Sequence, residues 1–311
     1  MTELSSARPR ILILLAAFNG ARWIREQLDS ILTQDGVDVR IIVRDDGSTD
    51  GTRAEVGRLL EDERVTLLPP ASPGGSAAQN FFALIRENAA DDFDFVALAD
   101  QDDIWNRNKL HRASNTLAGT RSAGYSSATT AIWSDGREVV LSQRSTPTHS
   151  DFLFEGAGQG CTFVLTADFY MRFRLFATEH RPLTHNIHYH DWAVYAVARA
   201  WGLAWSFDSV PSVSYRQHTD NDTGARSSVA GITKRLSLMR RGWYGTQLRA
   251  IAELCLAAAP ANATVSDWRV ILTRSDSWRR RGQAARFCLR GGRRKSVDKM
   301  IVVLATLLGW V

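Results

Sequence analysis

Residues 10–17, Arg-Ile-Leu-Ile-Leu-Leu-Ala-Ala, form a nearly continuous apolar run bounded by Pro9 and by Asn19-Gly20. A strand buried on both faces reads this way, whereas a strand with one wet face alternates and a surface helix shows a polar stripe. After it, Trp23, Leu28, Ile31 and Leu32 recur at helical spacing as far as Gln34-Asp35-Gly36, and Val39 to Val43 makes a second apolar run. Strand, helix, strand at the head of a chain predicts an α/β fold with a doubly wound sheet and helices on both faces. In such sheets ligands sit outside the carboxyl ends of the strands.

The alternation continues. Thr49-Asp50-Gly51-Thr52 starts a helix to about Leu60, Val65 to Leu68 is a strand, Pro69 to Gly75 a loop, Ser76 to about Asn88 a helix and Phe93 to Leu98 another strand. Further strands are expected at Ala128–Ser134, Cys161–Leu165 and Leu203–Phe207, with helices at Ala167–Phe176 and Asp191–Ala200. From about Ser227 the pattern turns helical and basic. The expected division is a catalytic domain over 1–225 and a helical, basic appendage over 226–311. The charges divide the same way: residues 1–225 carry 21 Lys/Arg against 29 Asp/Glu, and residues 226–311 carry 17 against 4. The basic end calls for an anionic partner.

Three of the apolar runs stop at polar groups that would converge on one sheet edge: Phe18-Asn19, Asp45-Asp46-Gly47-Ser48 and Asp100-Gln101-Asp102-Asp103. Three carboxylates in four positions repel one another unless a cation or strong donors neutralise them, and oxygen ligands of this kind suit Mg²⁺ or Mn²⁺. Mg²⁺ is usually held by one or two carboxylates together with substrate phosphates, so a short acidic loop at a strand end implies a diphosphate ligand. A second reading is that these aspartates cap a helix entered near Asn106. The joint placement of three strand ends favours the site.

With these segments the chain resembles family 2 inverting glycosyltransferases of the GT-A fold, marked by the A-x-F-N opening, the DDGSTD segment and the DxD loop, over roughly residues 10–225. Gly160-Cys161-Thr162, His190-Asp191-Trp192 and Tyr215-Arg216-Gln217-His218 look like the bacterial polysaccharide branch that includes rhamnosyltransferases. The resemblance implies that Ala16, Phe18, Asn19 and Asp46 bind the donor, the nucleobase stacking on Phe18, with Asp45 supporting the same turn. It implies Asp100 at the ribose or metal, Asp102 as principal metal ligand and Asp103 at metal-bound water or sugar hydroxyls. His218, which follows Tyr215-Arg216-Gln217 and precedes a polar loop, is expected to complete the metal shell or touch the diphosphate. Gln79 stands where many members carry Arg in Ala-Arg-Asn, so an amide replaces a positive donor contact. Asp191 becomes the general base, with His190 in place of the usual Glu. The implied reaction moves a sugar from a dTDP-, UDP- or GDP-linked donor to a saccharide or lipid-linked saccharide, with dTDP-rhamnose the favoured donor.

Other signals are weaker. His185, His188 and His190 alternate, but no cysteine or carboxylate spacing completes a zinc site. Gly156 to Gly160 lacks a phosphate-loop order and is expected to be a flexible loop on the acceptor side. Cys161, Cys255 and Cys288 form neither a disulfide framework nor a CxxC pair, which points to a reducing, cytosolic environment. The first apolar run is too short for a membrane span, and no secretion signal is evident.

Arg279-Arg280-Arg281, Arg286, Arg290 and Arg293-Arg294-Lys295 interleave with Trp278, Phe287 and Leu289 as a basic amphipathic segment suited to an anionic membrane surface. The last apolar run, ending at Val311, is about 12 residues, short of the roughly 20 a spanning helix requires, and is expected to lie in the interface or pack on the core. This places the chain peripherally at the inner face of the cell membrane; the competing reading packs the last helix on the catalytic domain. Nucleic acid is not expected, because the rest of the chain is acidic. Two other functions fit parts of the pattern: a noncatalytic sugar-nucleotide or glycan-binding module, and a nucleotidyltransferase, whose Gly-rich, Lys- or Arg-bearing loop is absent.

Overall fold

The computed structural model describes residues 7–70, 72–142, 146–218 and 237–311. Its centre is a mixed sheet built from β1 (Arg10–Ala17), β2 (Asp38–Asp45), β3 (Val65–Leu67), β4 (Phe95–Asp100), β5 (Ile104–Trp105), β6 (Ser122–Trp133), β7 (Glu138–Leu141), β8 (Val164–Thr166) and β9 (Ala204–Gln217). The strand order is β3-β2-β1-β4-β8-β6-β9-β5, with β7 on β6. The first four strands of that order run parallel until β8 pairs antiparallel with β4.

β1 is buried from Ile11 to Ala17. Ile11, Ile13, Leu15 and Ala17 face one core cluster and Leu12, Leu14 and Ala16 the other, so the strand lies between two layers, as its unbroken apolar run predicts. The helices of this part are α1 (Ile24–Leu32), α2 (Thr52–Gly57), α3 (Ala77–Glu87), α4 (Lys109–Ala118), α5 (Ala167–Glu179), α6 (Arg181–His185) and α7 (His190–Ala200). α3 starts as expected, with the Ser76 hydroxyl accepting from the Gln79 N–H.

Several boundaries differ from the sequence reading. α2 stops at Gly57, short of Leu60. The expected strand at Cys161–Leu165 divides into a 3₁₀ turn over Gly160–Thr162 and then β8. β6 and β9 extend well beyond their expected ends because Ser- and Thr-rich strands carry little apolar signal. The helix-cap reading of the aspartates is overturned, since β5 intervenes and α4 is capped at Asn108. β5 matters to the site, because Ile104 pairs with Ser214 and Trp105 with Val213, which draws the end of β9 to the aspartate loop.

The expected boundary at 225/226 lies outside the described residues. Beyond it come α8 (Trp243–Ala258), α9 (Ala263–Thr273), α10 (Trp278–Gly291) and α11 (Ser296–Leu307). They share one buried cluster with β1, β4, α3, α5 and α7. Trp268 is fully buried and stacks on Phe287 with centroids 5.0 Å apart, and the Tyr244 hydroxyl donates to the Phe154 carbonyl at 2.7 Å. Part of the basic segment is internal, which departs from its reading as a segment facing an anionic membrane surface. Arg294 Nη1 meets Asp151 at 2.7 Å, where Tyr195 and Arg199 also converge, and Arg280 donates to the Val311 carbonyl at 2.9 Å. Among the described residues no helix is long and apolar enough to cross a membrane.

Candidate active site

The carboxyl ends of β1, β2 and β4 lie side by side: Ala16 pairs with Asp100 and Ala17 with Asp45. They open into a cavity of about 1350 Å³, lined on this side by Ala16, Phe18, Asn19, Asp46, Asp100 and Asp102. Asp191, Tyr215 and His218 line the same cavity, as do Trp243, Tyr244 and Lys295 from the C-terminal helices. The space exceeds that needed by one drug-sized ligand.

Phe18 is half exposed at the rim and is held from behind by Gln101. The Gln101 amide accepts from the Phe18 N–H at 2.6 Å and donates to the Phe18 carbonyl at 2.7 Å, as a neighbouring strand would. A Cβ on Gly20 would come within 2.4 Å of the Gln101 amide oxygen, so the latch requires glycine there. Asn19 takes the left-handed conformation, φ +50°, which asparagine tolerates better than most residues. Its side-chain oxygen accepts from the Thr49 N–H at 2.9 Å, and its own N–H donates to the Ser48 hydroxyl at 2.8 Å.

Asp46 is 4% exposed and accepts from Arg44 at 2.7 Å and from the N–H groups of Gly74 and Gly75 at 2.7 and 3.1 Å. It shapes the cavity wall by holding that loop. Asp45 is buried beneath the turn, where Ser48 donates to it through backbone and hydroxyl, and it does not line the cavity.

Asp102 and His218 meet at 2.8 Å, joining the loop after β4 to the end of β9. Trp23 stacks on the His218 ring with centroids 4.3 Å apart and fixes its plane. Asp100, Asp102 and His218 thus supply two carboxylates and one imidazole on a cavity wall, a donor set that fits a hard or borderline divalent cation.

Two expected donor residues lie elsewhere. Gln79 donates to the carbonyls of Thr184 and His185 at 2.9 and 3.2 Å, so it ties α3 to α6 and is absent from the cavity wall. Asp103 is 1% exposed and turned inward. Burial raises its carboxyl well above the usual range, and Asp102 and Asp100 add to the effect. Beside it are Cys161 and also Lys109, which the sequence reading passed over. The Lys109 ammonium lies 3.5 Å from the Trp105 ring centroid, and burial pushes it down to about 7 while Cys161 and Asp103 pull the other way. One ligand atom each of Asp100, Asp103 and Cys161 lie within 4.8 Å of one another, but burial pushes the Cys161 thiol up, and sulfur is a soft ligand that hard cations do not favour. Asp102 and His218 line the cavity, whereas Asp103 and Cys161 do not.

Asp191 lies in the first turn of α7, where its carboxylate accepts from the Trp192 N–H at 2.6 Å, and it faces the cavity. His190 stacks on Phe81 at 3.8 Å, and burial pushes its pKa down to about 3, so the ring is neutral. The loop expected to be flexible is anchored: the Gly156 carbonyl accepts from Arg294 at 2.5 Å, and Gly160 sits against His190 with no room for a Cβ. Glu155, which also lines the cavity, is held by the Arg294 N–H and the Arg293 side chain.

The sequence pattern of the family described as "Glycosyl transferase family 2" matches residues 12–180, just over half of the chain. Among curated proteins, the dTDP-rhamnosyl transferase RfbG of Shigella flexneri is 35% identical over 240 residues, 76% of this chain and 83% of that protein. The UDP-Glc:alpha-D-GlcNAc-diphosphoundecaprenol beta-1,3-glucosyltransferase WfgD of Escherichia coli is 33% identical over 98 residues, 32% of this chain and 37% of that protein. Among solved structures, S. aureus TarS 1-349 in complex with UDP superposes with a TM-score of 0.56 at 15% identity, covering 97% of this chain and 81% of that one. The mannosyltransferase PcManGT of Pyrobaculum calidifontis, in complex with GDP-Man and Mn²⁺, gives 0.50 at 19%, covering 98% and 86%. At such identities the two structures show the shared GT-A fold. With its sheet, its acidic strand-end loop and this likeness to curated transferases, the chain belongs to glycosyl transferase family 2.

Proposed function

We propose that the chain is an inverting rhamnosyltransferase that takes its sugar from dTDP-rhamnose and places it on a lipid-linked saccharide at the cytoplasmic face of the cell membrane. The observation that carries the reading is the shared cavity, with the Asp102–His218 pair on one wall and Asp191 on another. The likeness to RfbG over most of both chains supports the donor, and the more local likeness to WfgD supports the acceptor class.

Phe18 offers a face for the base, and Asn19 and Asp46 keep the two neighbouring turns in shape. Asp100, Asp102 and His218 would hold Mg²⁺ or Mn²⁺, which when bound supplies positive charge for the departing nucleoside diphosphate. Asp191 accepts the proton of the acceptor hydroxyl. The acceptor oxygen bonds to the anomeric carbon as the bond from that carbon to the diphosphate breaks, which inverts the configuration.

The test is a pair of conservative variants assayed for donor binding and for transfer. Asp102→Asn loses both cation-dependent donor binding and transfer, whereas Asp191→Asn keeps donor binding and loses transfer by about 10²-fold or more. Normal turnover of Asp191→Asn would sink the assignment of the base.

A further inference from the structure

α11 buries Val302, Val303, Ala305 and Thr306 against the protein and leaves an apolar stripe uncovered. Val297 is 73% exposed, Met300 and Leu304 are each more than half exposed, and Leu307 and Leu308 continue the line. These positions follow a spacing of three and four, so they lie on one side of the helix over about 16 Å. The stripe starts at the cavity: Val297 and Ile301 line it, together with Val139, Val140 and Leu141 of β7. At its far end α10 runs alongside, with Arg281 donating to the Leu307 carbonyl at 3.4 Å and lying over Trp278, itself 77% exposed.

Large apolar side chains contiguous on a surface mark a place of contact. The charge around this one selects its partner. Arg286, Arg290 and Lys295 are exposed on the same two helices, and the segment they belong to, residues 226–311, carries 17 Lys/Arg against 4 Asp/Glu. A second copy would set like charges against each other. An anionic bilayer takes both the apolar stripe and the cations, and no helix described here is long enough to go deeper than its interface.

We propose that α11 lies in the interface of an anionic membrane, its exposed stripe among the acyl chains, so that the β7 and α11 side of the cavity opens at the membrane plane. A lipid-anchored acceptor then reaches Asp191 without leaving the bilayer. The inference rests on the proposed lipid-linked acceptor and names the surface that meets the lipid. Of the two expectations for the last apolar run, interface or core, the helix meets the second with its buried face and the proposal assigns the first to its exposed one.

The test uses the full chain and a variant carrying Met300→Glu and Leu304→Glu, two exposed positions that do not line the cavity. Flotation is measured with phosphatidylcholine vesicles, with and without phosphatidylglycerol. The wild type floats with the phosphatidylglycerol vesicles, and the variant does so roughly tenfold less while its thermal melt and its donor hydrolysis in solution are unchanged. Equal flotation of the two overturns the proposal. So does a wild-type dimer in light scattering that the variant converts to a monomer, because a second copy would then cover the stripe. If flotation is lost in the variant as predicted but the wild type glycosylates only water-soluble saccharides, the docking surface stands and the acceptor reading falls.

Discussion

Asp102 and His218 stand 116 positions apart in the chain and 2.8 Å apart in space, and the contact is made by β5, two residues long, pairing with β9. The place of Asp102 at a sheet edge was legible because the buried run before it stops at acidic groups. His218 was picked out by the polar residues beside it, which do not report its contact with Asp102. Asp103 and Gln79 share the composition of a site, but their side chains point elsewhere, and side-chain direction in a loop depends on tertiary contacts that no spacing reports. The Gln101 latch on Phe18 was hidden for the same reason, although Gly20, the glycine it requires, was visible. His190 yields a prediction at this scale. An unfolded imidazole takes up its proton near 6.5 and the folded one only near about 3. Between those values the unfolded state binds more protons, so this contribution to stability is complete above 6.5 and is lost as pH falls. At about pH 5 the loss is about 2 kcal/mol. Urea unfolding of the wild type and of His190→Phe, which retains an aromatic ring against Phe81, should show a flatter acid limb in the variant; parallel limbs would refute it.

The elements divide into those with a clear pattern and those without. β1 and β4 are unbroken apolar runs and the β2 run from Val39 to Val43 is interrupted only at Arg40, so the ends of all three strands were legible in the sequence. β6 and β9 are held by Ser, Thr and small residues and by pairing with each other, a long-range condition that local periodicity does not record. The arginines near the C-terminus read as a surface stripe because their partners, Asp151 and Glu155, lie more than a hundred positions earlier. Asp151 is wholly buried and takes Arg199 on one oxygen and Arg294 on the other. Removing one partner of a buried pair leaves charge uncompensated, so Arg294→Met should lower the unfolding free energy by about 3 kcal/mol. A shift of the urea midpoint equivalent to less than about 0.5 kcal/mol would show that the pair does not hold the α10–α11 junction to the turn over Asp151–Leu153.

At the scale of the molecule, the sheet changes from parallel to antiparallel between β4 and β8, and the cavity opens at the strand ends beside that change. The acidic first part supplies the strand-end loops with Asp100 and Asp102. The basic last part packs on the same core and adds Trp243, Tyr244, Arg293 and Lys295 to the lining, so both parts of the unevenly charged chain face one cavity. The central claim, that a sugar leaves a nucleoside diphosphate at the Asp102 site, is tested most directly by product analysis with dTDP-rhamnose and a saccharide acceptor in the presence of Mg²⁺ or Mn²⁺. The account predicts dTDP and a glycosylated acceptor, with both products lost on chelation of the cation and in Asp102→Asn. Release of inorganic diphosphate, or undiminished transfer by Asp102→Asn, would contradict it.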